Sequence, residues 1–460
     1  MGTSGQGVLY CPKLGYQLMM FCFFMLFTDT LFAAMPEKKQ AIKQLSKARH
    51  QQIVSVDGKV LSELVGRSIE KIDVFSVNAE GKKNPISFQV NEKTIEGFTY
   101  FKEANLPLSG HLGVLDEKDE LIFMLRDAGA RLNYKEVIEK DLIELAAETE
   151  DGPRYAYIGH GQKKTFFPSS VSFNEQTGKI KSDYYELDLD KKNPINWRNF
   201  QYVTFIDKKK ESILDTLKIR IKTGVFSRFT KITLDNDNLK AKLLAVKEGE
   251  ITTTLLMKMQ VVVANIPVMS LLLYMDAQPQ KISIQSRADV PKIAKSVLVN
   301  PSMSLSLDGN NLWGSQVKTA LFSDAVIVDG VLSQKEHQLL KRGISNDNNW
   351  IWFGTGRGFD LLAYMSVSKN FDAPIKLLYE DAEKMSDRPE RFLGQGPNLG
   401  YRIEDFPAGK VLIFQANLVF TDSVGNLTPE KFAAQMQLPP VLRKINTHDV
   451  ASVRSASEKN

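Results

Sequence analysis

The stretch "ITTTLLMKMQVVVAN" (residues 251–265) decides the fold class, because its hydrophobic pattern has the period of a strand. Its odd positions read Ile, Thr, Leu, Met, Met, Val, Val and Asn, whereas its even positions include Lys258 and Gln260. One face is therefore apolar and the other mixed over most of the segment, which a helix cannot produce. At about 3.3 Å per residue the strand is about 50 Å long, well beyond the usual length of about 5 or 6 residues.

Similar patterns recur through the second half of the chain. They occupy residues 215–226, 239–246, 317–329 and 409–420. Long strands of this kind are typical of a large, curved pair of antiparallel sheets. We therefore predict an all-β, mainly antiparallel protein whose larger domain, residues 169–442, is a long-stranded β-sandwich or supersandwich.

Shorter strands precede this region and predict a separate N-terminal domain. "KIDVFSV" (71–77) and "ISFQV" (86–90) alternate, and "ELIFMLR" (120–126) is a continuous apolar strand. We assign residues 53–168 to an N-terminal β-sandwich. Its segments "NPISFQVNE" and "DELIFMLRDAG" resemble exported bacterial β-sandwich proteins, a resemblance that implies no activity.

Helices are few, and their ends can be recognised. Ser333 and Glu336 form a capping box ahead of "HQLLKR", and Gly343 stops that helix. Thr428 followed by a proline opens a second helix, "EKFAAQMQ". Residues 35–52 are predicted to form a helical or flexible leader, and residues 443–460 a polar C-terminal tail.

The N-terminus has the order of regions found in secretory signal peptides. Lys13 is followed by a largely apolar run, residues 14–27, and then by the small residues Ala33 and Ala34. We predict a signal peptide over residues 1–34, with an uncleaved anchor as the alternative. Both cysteines lie inside this signal peptide, so the mature chain has no disulfide. We therefore expect a protein of a Gram-negative bacterium that is periplasmic or secreted.

Charge and hydropathy exclude two classes of partner. The net charge is +5, the lysines are scattered, and the run Lys208–Lys210 is flanked by acids, so we expect no nucleic-acid partner. The most apolar later segment, residues 266–277, is too short for a transmembrane helix, so no span is expected in the mature chain.

The glycine run "FGTGRGF" (353–359) looks at first like a phosphate cradle. A dinucleotide fingerprint needs three glycines spaced G-x-G-x-x-G between a strand and a helix, but here the third glycine comes one residue early. The following "FDLLAYMSVS" is strand-like. We therefore predict a glycine-rich hairpin and no cofactor.

Trp350 and Trp352, next to this hairpin, are the first candidates for ligand binding. Residues two apart on a strand share a face, so the two indoles can form an apolar platform for a sugar ring or a lipid chain. The alternative is that they cap the sandwich core. Arg357 and Asp360 next to the indoles are candidates for polar contacts to the ligand. A second loop, residues 394–402, adds Tyr401 and Arg402. If this loop and the glycine loop 353–359 meet at one end of the sheets, they would form the mouth of a site.

Metal-ligand patterns are weak in this sequence. The five histidines lie far apart, and "DNDN" (235–238) lacks the glycine and glutamate that would complete a calcium loop. No metal site is predicted.

Three functions remain open. The first is a non-catalytic exported binding or accessory protein whose partner is a glycan, an apolar small molecule or an envelope protein. The second is a carbohydrate-active lyase or hydrolase, and the third is a periplasmic carrier of lipid or another apolar ligand between the sheets. For the enzyme, the acid–base candidates are Asp324, Asp329, Asp360, His160 and Tyr401.

Overall fold

The computed structural model describes residues 42–132, 142–161, 165–206, 211–263, 265–289, 298–367, 373–381, 396–405 and 411–445. The predicted signal peptide, the lysine run 208–210 and the part of the tail beyond residue 445 lie outside these ranges. Within them, no helix is both long enough and apolar enough to cross a bilayer.

Two small antiparallel sheets pack face to face near the N-terminus. One has the strand order β1-β5-β4 and the other β26-β6-β7-β2-β3, and their inward side chains form one core. The strands are β1 Ile53–Asp57, β2 Ile72–Val77, β3 Lys83–Pro85, β4 Phe88–Asn91, β5 Glu120–Met124, β6 Ile143–Glu148, β7 Arg154–His160 and β26 Val441–Ile445.

The last strand of this sandwich comes from the other end of the sequence. β26 pairs antiparallel with β6, from Val441 opposite Glu148 to Ile445 opposite Glu144. Residues 443–445, which the sequence places in the polar tail, are therefore part of a strand. The predicted border at residue 168 lies between β7 and the next strand, which begins at Val171.

The second half of the chain forms a larger sandwich of two antiparallel sheets. A nine-stranded sheet has the order β14-β15-β16-β17-β25-β22-β21-β19-β20, and a five-stranded sheet has the order β13-β12-β18-β24-β23. Their strands are β12 Leu214–Val225, β13 Lys231–Leu234, β14 Leu239–Glu248, β15 Thr253–Val263, β16 Ile266–Gln278, β17 Lys281–Asp289, β18 Leu298–Gly309, β19 Gln316–Thr319, β20 Phe322–Ile327, β21 Ile351–Gly354, β22 Asp360–Val367, β23 Ile375–Glu380, β24 Asn398–Glu404 and β25 Val411–Thr421.

A four-stranded sheet closes one end of this larger sandwich. Its order is β11-β10-β9-β8, and its aromatic side chains Tyr185 and Phe200 contact Phe420 of β25. The strands are β8 Val171–Asn174, β9 Lys179–Ser182, β10 Tyr185–Leu189 and β11 Trp197–Tyr202. The predicted all-β, mainly antiparallel fold with few short helices is confirmed.

The described part of the chain contains three short α-helices, and both predicted helix starts are confirmed. In α2, Gln334–Arg342, the Ser333 and Glu336 side chains form the reciprocal capping box. In α3, Pro429–Gln437, the Thr428 hydroxyl accepts a hydrogen bond from the Lys431 N–H group. The first helix, α1, spans Lys47–Gln51 within the predicted leader.

Arg49 of α1 joins the two sandwiches. Its guanidinium, only 4% exposed, donates to both carboxylate oxygens of Glu150, at 3.0 and 2.8 Å. It also donates at 2.7 Å to the carbonyl oxygen of Leu438, just after α3. The arginine therefore connects the loop after β6 to the end of the C-terminal helix.

We expect Arg49→Met to lower the free energy of unfolding by about 2–4 kcal/mol, because the buried side-chain oxygen of Gln52 would lose its charged donor, which lies at 2.7 Å. The neighbouring Lys47→Met is the control. Its ion pair with Asp422, 2.6 Å long, is 34% and 38% exposed, and such pairs contribute less than about 1 kcal/mol. Urea unfolding of the two variants measures the difference, and equal losses would contradict the assigned role of Arg49.

Candidate functional site

The alternation of the long strands decides which side chains enter the larger sandwich. On β16, Met269, Leu271, Leu273 and Met275 face inward. Opposite them, the five-stranded sheet contributes side chains of β12, β18 and β24. Pairing of β16 with β15 and β17 continues these inward rows across the nine-stranded sheet.

These rows enclose an apolar cavity of about 80 Å³ between the two sheets. A site for one water molecule needs only about 10–15 Å³, and native cores contain few voids larger than that. Five of the chain's 14 methionines line the cavity. They are Met257, Met259, Met269, Met275 and Met303.

A second cavity of about 30 Å³ lies further along the sandwich. It shares Leu217, Ile284 and Leu305 with the first cavity, and its other lining residues include Phe353 and Tyr401. The two cavities therefore lie next to each other along the sandwich, and the shared side chains, Leu305 among them, stand between them.

Ser286 of β17 supplies the one polar side chain among the residues that line the larger cavity. It is 1% exposed, and its hydroxyl oxygen has no hydrogen-bond partner among the described residues. An unsatisfied buried polar group costs about 1–3 kcal/mol. The neighbouring inward position on β17 is Ile284, so the hydroxyl group is a single polar point on an apolar wall.

The two ends of the sandwich differ in packing. Next to the four-stranded sheet, Phe200, Phe359 and Phe420 are fully buried and contact one another. At the opposite end, the inward-facing Met303 and Phe414 remain only partly buried. Aromatic rings therefore fill the sandwich at one end, whereas toward the other end two residues that line the cavity, Met303 and Phe414, keep accessible surface.

The tryptophans predicted to form a platform lie elsewhere. Trp350 and Trp352 are on the outer face of the nine-stranded sheet, only 6% and 8% exposed. Side chains of α1 and α3 cover both, and they share a core with Phe432 of α3. This corrects the expectation of an open platform in favour of the core alternative. The spacing of Phe432, Ala433 and Met436 was the sequence signal for that cover.

The glycine run next to these tryptophans is a hairpin, as predicted. β21 and β22 pair antiparallel around it, and Gly356 and Gly358 have positive φ angles. Gly354 is required for space, because a Cβ atom there would lie 2.2 Å from the Trp352 ring.

The structure distributes the remaining predicted ligand-binding residues over separate surfaces. Arg357 lies over the Phe205 ring and donates to the carbonyl oxygen of Asn311 at 3.3 Å. Asp360 is buried on the outer side of the nine-stranded sheet, where its carboxylate accepts from the Thr355 N–H group at 3.1 Å. Tyr401 faces the inside of the sandwich, and Arg402 is exposed on the opposite face of the same strand.

The glycine loop and the second loop both contact the turn at Asn311 and Leu312. Arg357 contacts the carbonyl oxygen of Asn311, and the neighbouring Leu312 N–H group donates to the carbonyl oxygen of Gly396 at 3.3 Å. Their side chains nevertheless do not converge on one pocket, so the six predicted residues form no single site.

Among the proposed acid–base residues, Asp329 lies in a carboxylate cluster. Oxygen atoms of Asp329, Glu336 and Asp381 are all within 4.8 Å of one another, a separation that suits a cation. The Tyr379 hydroxyl group lies 2.8 Å from Glu336 Oε1, and burial raises the pKa of Asp381. Nothing in the spacing of these residues along the sequence indicates the cluster.

The other acid–base candidates do not join this cluster. Asp324 pairs with Lys335 at 3.5 Å on an exposed edge. His160 is exposed at the end of β7 in the N-terminal sandwich, while Tyr401 donates to the Asn349 carbonyl oxygen at 2.9 Å inside the larger one.

Comparison with known proteins finds no matching family model and no significant match among curated proteins. Among solved structures, the chain is similar to an α-mannosidase from Enterococcus faecalis V583, at 8% identity over 89% of this chain and 45% of that one, with a TM-score of 0.43. It is also similar to α-N-acetylgalactosaminidase NagBb from Bifidobacterium bifidum, at 8% identity over 52% of this chain and 36% of that one, with a TM-score of 0.30. A third similar structure is a copper-containing benzylamine oxidase from Hansenula polymorpha, at 9% identity over 85% of this chain and 79% of that one, with a TM-score of 0.28. The distant neighbours thus include carbohydrate-active enzymes, and this chain spans less than half the length of the two described here.

We expect Trp352→Ala to lower the free energy of unfolding by about 3–5 kcal/mol, as for other buried aromatic residues. The matched control is Trp313→Ala, because Trp313 is only partly buried. Denaturant unfolding of both variants provides the measurement. A Trp352 variant as stable as the wild-type protein would restore the platform interpretation.

Asp360 should make stability depend on pH. Burial raises the pKa of its carboxyl group to about 7, whereas in an unfolded chain it is about 4. Between these values the folded state retains a proton that the unfolded state has lost. The stabilisation is therefore complete below about pH 4 and is lost as the pH rises through about 7.

We predict that Asp360→Asn reduces the fall in unfolding free energy between about pH 5 and about pH 8. The amide retains an acceptor for the Thr355 N–H group but does not ionise. Urea midpoints at the two pH values measure this, with the exposed Asp324→Asn as control. Identical pH dependence in wild-type protein and Asp360→Asn would show that Asp360 is not the titrating group.

Proposed function

We propose that the protein binds an elongated apolar ligand, such as an acyl chain, between the two sheets of its larger sandwich. The observation that carries this proposal is the cavity itself, whose lining is apolar apart from Ser286. Burial of apolar surface contributes about 25 cal/mol per Å², so a chain-like hydrocarbon gains affinity along the whole space without needing many polar contacts.

The methionines support an adaptable ligand site over an ordinary core. Unbranched thioether side chains re-pack around different shapes, and they are common on surfaces that accept varied apolar partners. They also fill gaps in ordinary cores. In this sandwich, however, a cavity remains beside the five methionines, and the inward-facing Met303 and Phe414 keep accessible surface.

Ser286 narrows the class of ligand. Its hydroxyl group points into the cavity and has no hydrogen-bond partner among the described residues. A ligand with a hydroxyl or carbonyl oxygen part of the way along its chain would satisfy this group. We therefore propose an oxygen-bearing acyl chain rather than a plain hydrocarbon.

Export forms part of the proposal. The signal peptide expected over residues 1–34 would deliver the protein to the periplasm or outside the cell. There, an apolar molecule that moves through water needs a shield, because exposure of its hydrocarbon surface is unfavourable. A cysteine-free sandwich with an internal cavity suits such a carrier.

A glycan is the second candidate ligand, supported by a different location. Trp313 is partly exposed, and a Cβ atom placed on Gly396 would lie 3.5 Å from its ring and 3.7 Å from Asp381 Oδ1. An indole beside the Asp329, Glu336 and Asp381 carboxylates is a combination that binds sugar rings and their hydroxyl groups. If sugar chemistry occurs there, oligosaccharide cleavage should disappear in Asp329→Asn.

We expect lipid to co-purify with the protein and to be detected by mass spectrometry of an organic extract.

Leu305→Trp should block the junction of the two cavities and reduce binding of a fluorescent hydroxy fatty acid at least tenfold. Ser286→Ala should weaken that ligand about tenfold, the effect of about 1.4 kcal/mol from one lost hydrogen bond. Ser286→Ala should leave the affinity for a fatty acid without the hydroxyl group unchanged.

Ser283→Ala is the matched control, because Ser283 lies on the same strand and is equally buried. Its hydroxyl group faces the other side and donates to Asn417 Oδ1 at 2.8 Å. Affinity for both fatty acids should stay at the wild-type value. The carrier proposal would be contradicted if the extract contained no lipid and fatty acids did not displace the fluorescent probe. Glycan binding that is lost in Trp313→Ala would instead favour the second candidate.

A further inference from the structure

The β12–β13 connection, residues 226–230, is an exposed apolar turn, here called the hairpin tip. Its two aromatic residues, Phe226 and Phe229, are 78% and 81% exposed. Large apolar side chains are seldom so exposed together unless they meet a partner. The tip is therefore a candidate interaction surface.

The tip has a defined shape. The Val225 N–H group donates to the Thr230 carbonyl oxygen at 2.9 Å, and the Phe229 N–H group donates to Ser227 Oγ at 3.1 Å. Phe226 has a φ angle of 56°, in the left-handed region that a side chain with a Cβ atom disfavours. A strained backbone that presents an aromatic ring to solvent is unexpected for a turn with no function.

The tip lies toward the end of the cavity where Met303 and Phe414 keep accessible surface. Ile221 and Met269 line the cavity at that end, and the strands that carry them lead outward to Phe226 and Ile266. Ile266 is 65% exposed. Both sheets thus present apolar side chains beyond the same end of the sandwich.

Three cationic side chains lie on one side of the tip. Lys222, Arg228 and Lys231 are exposed and line one groove beside the tip, and no Asp or Glu occurs between residues 216 and 234. Two strands away in the same sheet, Glu404 of β24 is paired with Lys376 of β23 at 2.5 Å. The groove therefore favours an anionic partner.

We propose that the hairpin tip docks the protein on the surface of a bilayer that contains anionic lipid. Phe226 and Phe229 enter the interface between headgroups and acyl chains, where aromatic rings are favoured. Arg228 and Lys231 lie at the level of the lipid phosphates, to which cationic side chains are attracted. Apolar groups beside cations match a membrane surface better than they match a protein partner with a dry interface.

Docking in this orientation extends the proposed function, because it brings this end of the cavity to the membrane. An apolar ligand could then pass between bilayer and cavity without crossing water. The docking itself requires no ligand, so vesicle binding and ligand binding are separable measurements.

The test uses an environment-sensitive dye on the tip of the full chain. With Cys11 and Cys22 replaced by serine, Thr230→Cys supplies a single labelling site, and Lys102→Cys supplies an exposed control site on the N-terminal sandwich. Vesicles of phosphatidylcholine alone are compared with vesicles of phosphatidylcholine and phosphatidylglycerol in equal parts. A dye that reports only its own surroundings excludes contributions from other apolar segments.

We expect a blue shift of the dye on residue 230 with the anionic vesicles, much less with phosphatidylcholine, and none on residue 102. When Phe226→Ser and Phe229→Ser are combined, at least tenfold more anionic lipid should be needed to reach half of the full shift. Combining Arg228→Gln with Lys231→Gln should have the same effect, and it should also make vesicle binding less sensitive to salt. Matched control pairs are Ile95→Ser with Leu112→Ser, both exposed apolar residues, and Lys102→Gln with Lys431→Gln.

Three results would overturn the proposal. They are no shift with anionic vesicles, an equal shift at residue 102, and a shift without lipid that grows with protein concentration, which would show that a second copy covers the tip. The tip variants should still bind the fluorescent fatty acid. Loss of fatty-acid binding in Leu305→Trp with vesicle binding intact would separate the two proposals.

Discussion

The nine-stranded sheet imposes the constraint on which the rest of the structure depends, because side chains on both of its faces must be removed from water. Its inward rows face the five-stranded sheet. Its outward rows need other cover, which Phe98 and Phe101 of the N-terminal sandwich provide over Leu256 and Tyr274. Helices α1 and α3 provide it over Trp350 and Trp352. The two sandwiches are thus joined by the outer face of one sheet.

The sequence predicted the parts of the fold that depend on local periodicity. The hydrophobic residues of 251–265 alternate with the period of a strand and not with that of a helix. The helix caps at Ser333 and Thr428 also form as their residue types indicate. The position of β26 could not be predicted, because its pairing with β6 joins residues about 300 apart in sequence and depends on the whole fold. Such pairing leaves no mark in a local window.

The candidate site was less predictable, for a related reason. Alternation shows that Trp350 and Trp352 share a face, but it does not show which face is covered. The cavity depends on how far apart two sheets lie, which no single strand determines. Its methionines, however, are visible in "LLMKMQ" and "PVMSLLLYM" as repeated inward positions. The carboxylates of Asp329, Glu336 and Asp381 meet only because the ends of β20 and β23 lie near the start of α2.

Unequal packing along the larger sandwich links its structure to its proposed role. Aromatic rings interlock where the four-stranded sheet closes one end, and such a core resists opening because each ring contacts several others. Methionine and partly covered side chains dominate toward the other end. For the ligand that we propose, the lower barrier to entry is therefore expected at the end that carries Phe226, Phe229 and their neighbouring cations. Chain-like ligands should enter there first, with Leu305 marking the passage to the deeper cavity.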